Sequence, residues 1–325
     1  MSKPQRSSRR GEAATAEPAP PQDLRTGLVV SAHGRHVVVE DEDGQRWRCH
    51  ARGKKSELVV GDRVDWAPSG DEGVVEHLHA RRSLLFRQDE WRTKSFAANL
   101  DGLLVLVASE PPFSESQLTR ALIAARSAGL PVTIGLNKVD LPQAEQARAR
   151  LAPYRAMGEE VVELSLKAEP EAAIALLTPR LAGRATLVLG PSGMGKSTLI
   201  NLLVPQASAS VGEISIALNS GRHTTTTTTW YWLGDRSTGT AIIDSPGFQE
   251  FGLRHIAATD LARLMPDIGH HLGHCRFYNC THRQEPGCAL HEAVRDGRLA
   301  AERLRLYTEL FDELQAAQGG RAART

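Results

Sequence analysis

Short valine-rich runs alternate with turn sequences over residues 23–82. The turns read HGR, DEDG and PSGDEG, and the runs between them have the length and composition of strands. We count five such runs, which predicts a small five-stranded β-barrel. The pattern fits an OB-fold and an SH3-like barrel equally well, so it leaves both possibilities open.

Near Leu100 the pattern changes to longer apolar runs separated by segments with helical spacing. Two runs, 101–109 and 130–140, have the composition of buried parallel strands, and 184–190 reads as another buried strand. Two further strands are predicted over 160–165 and 238–244. The segments 114–129, 142–156 and 169–182 predict helices between them. This part is therefore expected to be a doubly wound α/β domain. After Phe251 the pattern is helical, and a last long helix is predicted over 299–317.

These patterns divide the chain into five predicted segments: a disordered tail over 1–22, a barrel over 23–82, a linker over 83–99, an α/β domain over 100–252 and a helical domain over 253–325. The tail lacks the apolar core of a secretory signal, and no apolar run is long enough to span a membrane. The net charge of +1 gives no global electrostatic argument for a nucleic-acid partner. We expect a protein of the cytoplasm with no membrane partner.

A phosphate-binding loop follows the fourth predicted strand of the α/β domain. Residues 190–197 read GPSGMGKS, which satisfies G-x-x-x-x-G-K-[ST] between a predicted buried strand and an apolar helix. The glycines allow backbone N–H groups to surround a phosphate, Lys196 would neutralise the β- and γ-phosphates, and Ser197 would ligate Mg²⁺. The predicted contacts to the nucleotide from this loop are Gly190, Pro191, Ser192, Gly193, Met194, Gly195, Lys196, Ser197 and Thr198.

Two further motifs point to guanine and to the γ-phosphate. NKVD comprises Asn137, Lys138, Val139 and Asp140, and it ends a predicted strand, where α/β sheets bind ligands. The Asp140 carboxylate can accept hydrogen bonds from guanine N1–H and N2–H₂, which adenine does not offer. Asp244 begins the DSPG motif, where its carboxylate would hold Mg²⁺ and the Gly247 N–H would meet the γ-phosphate.

The motifs occur in an unusual order. NKVD precedes the phosphate loop, whereas in most GTPases it follows that loop, so the domain is predicted to be circularly permuted. Ser165, Leu166 and Lys167 stand where the second base-binding loop is expected. The order is then NKVD, SLK, phosphate loop, threonine run and DSPG.

Three of the four cysteines lie within residues 275–288, in the pattern C-x₄-C-x-H-x₅-C. Cys275, Cys280, His282 and Cys288 match the Cys₃His ligand set of a closed structural zinc site. His274 is a rival ligand, but it adjoins Cys275, and neighbouring residues seldom both reach one metal. Unliganded buried cysteines are the alternative to a metal site.

Taken together, these residues resemble the ribosome small-subunit-dependent GTPase A family (RsgA, YjeQ-like). The resemblance covers residues 23–312 and includes VVGDRV (59–64), NKVD, GPSGMGKST, GRHTTT, DSPGF and the cysteine cluster. It implies an N-terminal OB-fold barrel, a circularly permuted P-loop GTPase domain and a C-terminal helical zinc-binding domain. It also implies a monomeric factor in late maturation of the 30S subunit, with 16S rRNA, GTP and GDP as partners and with one Zn²⁺ and Mg²⁺ as cofactors.

The stretch GRHTTTTTTW (221–230) lies between the phosphate loop and DSPG, where a switch that senses the γ-phosphate belongs. Phe248 follows DSPG and cannot orient water, so His223 is the candidate for that task, together with Lys196 as a catalytic residue. Thr224 or Thr225 is expected to complete the Mg²⁺ shell, beside Ser197 and Asp244. The last threonines, 227–229, lead into Trp230 and predict the start of a strand.

RNA contact is only weakly encoded by charge. Residues 1–100 hold 17 Lys and Arg against 15 Asp and Glu, and the barrel carries a local basic group of Arg52, Lys54 and Lys55. Such a group is more often a solvated surface than an RNA site, but a barrel of OB type beside it favours RNA. We predict a GTPase that acts on the 30S subunit. The alternatives are a permuted GTPase switch for another RNA or for the large subunit, and a GTP-dependent RNA-binding module with little hydrolysis.

Overall fold

A closed five-stranded barrel forms the N-terminal part of the protein. The computed structural model describes residues 23–52, 58–89, 93–205, 207, 228–246 and 251–322. The barrel strands are β1 (Arg25–His33), β2 (His36–Asp41), β3 (Arg46–Ala51), β4 (Arg63–Ser69) and β5 (Glu72–Leu78). They pair in the order β1-β2-β3-β5-β4, β3 and β5 run parallel, and β4 pairs back on β1. Closure around buried Val29, Val39 and Trp66 confirms the barrel, and its topology is that of an OB-fold.

The α/β domain is built on a mostly parallel sheet. Its strands are β8 (Gly102–Ala108), β9 (Val132–Asn137), β10 (Glu160–Leu164), β11 (Ala185–Leu189), β12 (Thr229–Trp232) and β13 (Ala241–Asp244). Their order is β10-β9-β8-β11-β13-β12, with only β12 antiparallel to its neighbour. The helices are α1 (Glu115–Ser127), α2 (Ala144–Ala156), α3 (Pro170–Leu181) and α4 (Lys196–Leu203). These bounds agree closely with the predicted elements, except that the last parallel strand begins at Ala241 and not at 238.

Both faces of the sheet are covered, as the continuous apolar composition of the strands requires. Alternate residues of β8 point to opposite faces. Leu103 and Val105 pack in the same cluster as Leu122 of α1, whereas Leu104 and Leu106 pack in the cluster that holds Leu177 of α3 and Leu199 of α4. The nucleotide motifs therefore lie on loops at the end of a sheet that is packed on both faces.

The segment 83–99, expected to be a linker, contains a hairpin of β6 (Leu84–Gln88) and β7 (Thr93–Ala98). It touches the barrel through a bridge between Val60 and Ala97, and it touches the chain after DSPG through a bridge between Gln88 and Leu253. Gly61 has φ +89°, and a Cβ there would lie 2.1 Å from the Ala98 carbonyl oxygen. The hairpin is thus packed between the barrel and the C-terminal residues.

The barrel also contacts the α/β sheet directly. Strand β1 pairs with β12 at Ser31 and Thr229, so the barrel extends the edge of the sheet. The buried Glu40 carboxylate accepts a 2.6 Å hydrogen bond from Trp232 Nε1 and forms ion pairs with Arg46 and Arg236 at 3.0 and 3.2 Å. One carboxylate of β2 therefore binds both the end of β12 and the connection between β12 and β13.

The C-terminal region is helical, as predicted, with α5 (Pro266–Gly269), α6 (Ala289–Arg295) and α7 (Ala301–Ala322). The long helix α7 ends at Ala322, beyond the predicted 317. Its Arg303 is buried, pairs with Asp267 at 2.6 and 3.2 Å, and donates to Thr119 Oγ1 at 2.6 Å. Its guanidinium also lies 5.1 Å from the centre of the Tyr154 ring. One arginine thereby fastens the C-terminal helices to α1 and α2.

Candidate nucleotide-binding site and metal centre

The nucleotide motifs meet at one edge of the sheet, although they are scattered along the chain. NKVD begins at the last residue of β9, SLK follows β10, the phosphate loop follows β11, and Asp244 ends β13. These strands are all parallel, so their carboxyl ends lie on the same side. A cavity of about 510 Å³ opens there. Its lining comprises Asn137, Lys138, Asp140, Leu141, Leu166, Lys167, Ser192, Gly193, Gly195, Lys196, Ser197 and Thr198.

The phosphate loop needs glycine at the positions where its backbone approaches the neighbouring strands β8 and β9. A Cβ on Gly190 would lie 2.3 Å from the Leu106 carbonyl oxygen, and one on Gly195, at φ +104°, would lie 2.4 Å from Asn137 Nδ2. Lys196 Nζ donates to the carbonyl oxygens of Gly190 and Pro191 at 2.6 and 2.8 Å. The Lys196 side chain is therefore folded over its own loop. Its ammonium group can exchange these carbonyl oxygens for phosphate oxygens when a nucleotide binds.

Asn137 joins three of the loops. Its side chain is buried, its Nδ2 donates to the Met194 carbonyl oxygen at 2.9 Å, and its Oδ1 accepts from the Leu166 N–H at 3.1 Å. The amide is the side chain suited to this position, because it offers a donor and an acceptor at once. Asn137 thus fixes the phosphate loop and the SLK segment relative to NKVD.

Lys138 adopts a left-handed backbone conformation, with φ +62°, and its stem lines the cavity. Its Nζ donates to the carbonyl oxygens of Glu110 and Gly193, and its own carbonyl oxygen accepts from Ser109 Oγ at 2.6 Å. Ser109 was not foreseen from the sequence. Its place at the carboxyl end of β8, beside β9, is the signal that could have identified it.

Of the remaining residues predicted to contact the base, two line the cavity and two support the turns that carry them. Asp140 and Lys167 are exposed and face the cavity. The Val139 N–H bonds to the Leu164 carbonyl oxygen at 3.2 Å, and the buried Ser165 accepts at its carbonyl oxygen from the Glu169 N–H at 2.7 Å. These bonds hold the turns from which Asp140 and Lys167 project.

Asp244 and Lys196 form the charged centre of the site. Burial raises the pKa of Asp244 to about 6, and the nearby Lys196 opposes that rise. Burial also lowers the pKa of Lys196, which Asp244 partly restores. Each charge is held in a poorly solvated place, where a bound cation or phosphate would compensate for the lost water. A GTPase uses Mg²⁺ with its nucleotide, and a carboxylate oxygen and a hydroxyl oxygen, such as those of Asp244 and Ser197, are the kinds of ligand that this ion prefers.

Part of the predicted switch falls outside the described residues, namely His223, Thr224, Thr225 and Gly247. Of the threonine run, the structure describes Thr228 and Thr229. Thr229 begins β12 and lies opposite Asp244 in the antiparallel pair with β13. The predicted strand start is therefore confirmed at Thr229, and the run leads directly to the carboxylate at the end of β13.

The cysteine cluster comes together as a possible metal centre. One ligand atom from each of Cys275, Cys280, His282 and Cys288 lies within 4.8 Å of all the others. His282 has φ +64°, and its Nδ1 lies 3.3 Å from the Cys275 sulfur. Three soft sulfur donors and one imidazole, gathered without a carboxylate, fit a thiophilic metal ion. His274 is exposed and is not a member of this cluster.

The predicted RNA contacts are less distinctive. Arg52 is ion-paired with Glu76, with two nitrogen–oxygen distances of 2.6 Å, so its charge is already balanced. Lys54 and Lys55 lie outside the described residues. Among the helices that the structure describes, none has the length and apolar character required to cross a membrane.

Residues 78–254 match the family model described as RsgA GTPase. The chain belongs to this family. It is 56% identical over 323 residues to the protein named small ribosomal subunit biogenesis GTPase RsgA of Variovorax paradoxus (strain S110), which covers 98% of this chain and 100% of that protein. A protein of the same name from Burkholderia pseudomallei (strain K96243) is 54% identical over 93% of this chain and 97% of its own length.

Two solved structures share the fold. A crystal structure of YjeQ from Thermotoga maritima matches with a TM-score of 0.69 and 29% identity, over 90% of this chain and 99% of that one. YloQ, described as a circularly permuted GTPase, matches with a TM-score of 0.65 and 25% identity, over 93% and 98% of the two chains. The permuted GTPase fold with its flanking barrel and C-terminal helices is therefore that of the family, and the protein is a GTPase.

Proposed function

We propose that this protein binds the 30S ribosomal subunit and acts in its late maturation, hydrolysing GTP to GDP and phosphate at a rate that the subunit stimulates. The observation that carries the proposal is the convergence of NKVD, SLK and the phosphate loop on one cavity, with Asp244 interacting electrostatically with Lys196 of that loop. The names of the relatives from Variovorax and Burkholderia supply the small subunit as the object of that activity. The protein would act as a monomer in the cytoplasm, with 16S rRNA as its main contact.

Within the site we assign guanine to Asp140, the triphosphate to the loop 190–198 and Mg²⁺ to Ser197, Asp244 and a threonine of the switch, Thr224 or Thr225. Lys196 supplies positive charge to the phosphates, and its poorly solvated position makes that charge more effective. His223 is proposed to orient the attacking water, because the position after DSPG holds Phe248. When bound, Mg²⁺ would neutralise phosphate charge.

The metal centre is proposed to hold one Zn²⁺ through Cys275, Cys280, His282 and Cys288. All four tetrahedral positions would then come from the protein, which leaves no open position for substrate. The role of the ion is thus structural. It would fix the loop 275–288 against the helices α6 and α7.

Turnover of GTP with and without purified 30S subunits tests the main proposal. We expect clear stimulation by 30S and none by 50S subunits. Stimulation by 50S alone would indicate another ribosomal partner, and binding to 30S without turnover would indicate an RNA-binding module with little hydrolysis. His223→Ala should bind GTP and lose the stimulated rate; an unchanged rate would remove His223 from the mechanism.

Guanine recognition is tested by Asp140→Asn. The new amide keeps an oxygen that can accept from N1–H, but it places an N–H donor opposite the guanine N2 amino group, where xanthine has a carbonyl oxygen that can accept. We expect affinity to shift from GTP towards XTP, measured by competition against a fluorescent guanine nucleotide. Retained preference for GTP would place base recognition elsewhere.

A further inference from the structure

The metal loop exposes two adjacent aromatic side chains. Tyr278 is fully exposed and Phe277 is 41% exposed, and together they are two of the three large apolar side chains that the described residues leave in solvent. Aromatic rings bury a large area when they find a partner, so a fully exposed tyrosine on an ordered loop is informative. Neither ring packs into the hydrophobic clusters of the protein core.

The loop holds these rings outward. Phe277 and Tyr278 lie between two members of the metal cluster, Cys275 and Cys280. The Cys280 N–H donates to the Phe277 carbonyl oxygen at 3.2 Å, and the Arg276 N–H donates to the Gly287 carbonyl oxygen at 3.0 Å. The short span between two ligands keeps the rings from folding back onto the protein. A partner would therefore meet aromatic faces that are already positioned, at little further cost in entropy.

The charge around the rings is positive. The Arg276 guanidinium lies 5.5 Å from the centre of the Phe277 ring, and no carboxylate of the described residues is within ion-pair distance of it. The one acidic side chain of the loop, Glu285, is turned into the backbone, where it accepts from Thr281 Oγ1 and from the N–H groups of residues 281, 283 and 284. The outer face thus combines aromatic rings with an arginine that forms no ion pair among the residues the structure describes.

We propose that Arg276, Phe277 and Tyr278 form a stacking surface for an unpaired nucleotide of ribosomal RNA. Exposed bases stack on aromatic rings and on guanidinium planes, and the neighbouring phosphate needs a cation that has no competing carboxylate. A protein partner would call for a larger apolar patch with a polar rim. This inference rests on the proposed binding to the 30S subunit, and it adds a second RNA contact, separate from the barrel.

The test measures the affinity of the full-length, metal-loaded protein for purified 30S subunits in the presence of a non-hydrolysable GTP analogue. We expect Tyr278→Ala to weaken binding by roughly 5- to 100-fold, the range for loss of one base stack. Tyr278→Phe should retain wild-type affinity. Tyr278→Leu should be as weak as the alanine variant, because leucine keeps apolar area but offers no aromatic face. Since the Tyr278 side chain is fully exposed, the melting temperature and the metal content should not change in any variant.

Arg276 and the nature of the partner are tested separately. Arg276→Gln should reduce the slope of log affinity against log salt by about one, as expected for one lost phosphate contact. A photo-cross-linking phenylalanine analogue in place of Tyr278 should give a product with 30S subunits that ribonuclease shortens. A product sensitive only to protease, or full affinity in Tyr278→Leu, would overturn the proposal in favour of a protein pocket.

These measurements distinguish failure of the stacking surface from failure of the proposed function. If the wild-type protein binds 30S subunits and Tyr278→Ala binds equally well, the stacking surface is refuted and the proposed function stands. If the wild-type protein does not bind 30S subunits at all, both fall.

Discussion

Replacing Asn137 with alanine removes the side chain that joins the three nucleotide loops. The change leaves the Met194 carbonyl oxygen and the Leu166 N–H without their partners at 2.9 and 3.1 Å, and both residues are buried. An orphaned buried polar group costs about 1–3 kcal/mol, so the two together cost about 2–6 kcal/mol. GTP binding requires both loops in place. If this free-energy cost is subtracted from the binding free energy of GTP, the affinity for GTP falls by roughly 30-fold or more.

The assay is titration of Asn137→Ala with a fluorescent GTP analogue, well below the melting temperature of the variant. Thr133→Val is the matched control, because it removes a hydrogen bond to Glu160 from the same strand, β9, but on the surface and away from the cavity. The control should bind GTP like the wild type. An Asn137→Ala protein that is folded and binds GTP with wild-type affinity would refute the bracing role.

Three further predictions follow from charged groups and from the metal centre. Burial raises the pKa of Asp244 to about 6, so the stability that this carboxyl group contributes is present below pH 4 and is lost as pH rises through 6. Asp244→Asn should therefore raise the melting temperature of the nucleotide-free protein at pH 7.5 but not at pH 4. Equal shifts of the melting temperature at the two pH values would contradict this. Cys275→Ser should lose its metal, measured by elemental analysis, and full retention of metal and stability would exclude Cys275 as a ligand. Arg303→Met leaves the Asp267 carboxylate, whose side chain is only 12% exposed, without its arginine partner and should cost about 3–5 kcal/mol in urea unfolding, partly recovered by adding Asp267→Leu. A double variant no more stable than Arg303→Met would argue against the pair.

Local patterns in the sequence were sufficient for the motifs and for most elements. Strands β9 and β11 are largely apolar runs, and the loop after each carries a recognisable residue, Asp140 or Lys196. The metal cluster is local as well, since its four members lie within residues 275–288. Short-range spacing determines these features, so one sequence predicts them.

Features that depend on distant partners were not predictable in the same way. The hairpin of β6 and β7 bridges to Val60 and Leu253, which lie far from it in the chain, and its own apolar pattern is short. Ser109 acts through a single hydroxyl, with no motif around it. The predicted strand over 238–244 is shortened because residues 236–238 form a 3₁₀ turn that Gly239 ends at φ +67°.

The strand order bears on how the chain emerges during its own synthesis. Strand β11, which carries the phosphate loop, lies between β8 and β13 in the finished sheet but is made after β8, β9 and β10. Until residues 185–189 leave the exit tunnel, β8 is an open edge, although all of its seven residues are buried in the folded protein. An unpaired apolar edge invites mispairing with other chains. Because of the permutation, the base-binding strands of the nascent domain are made first, and the edge of β8 stays exposed until the strand that pairs with it has been synthesised.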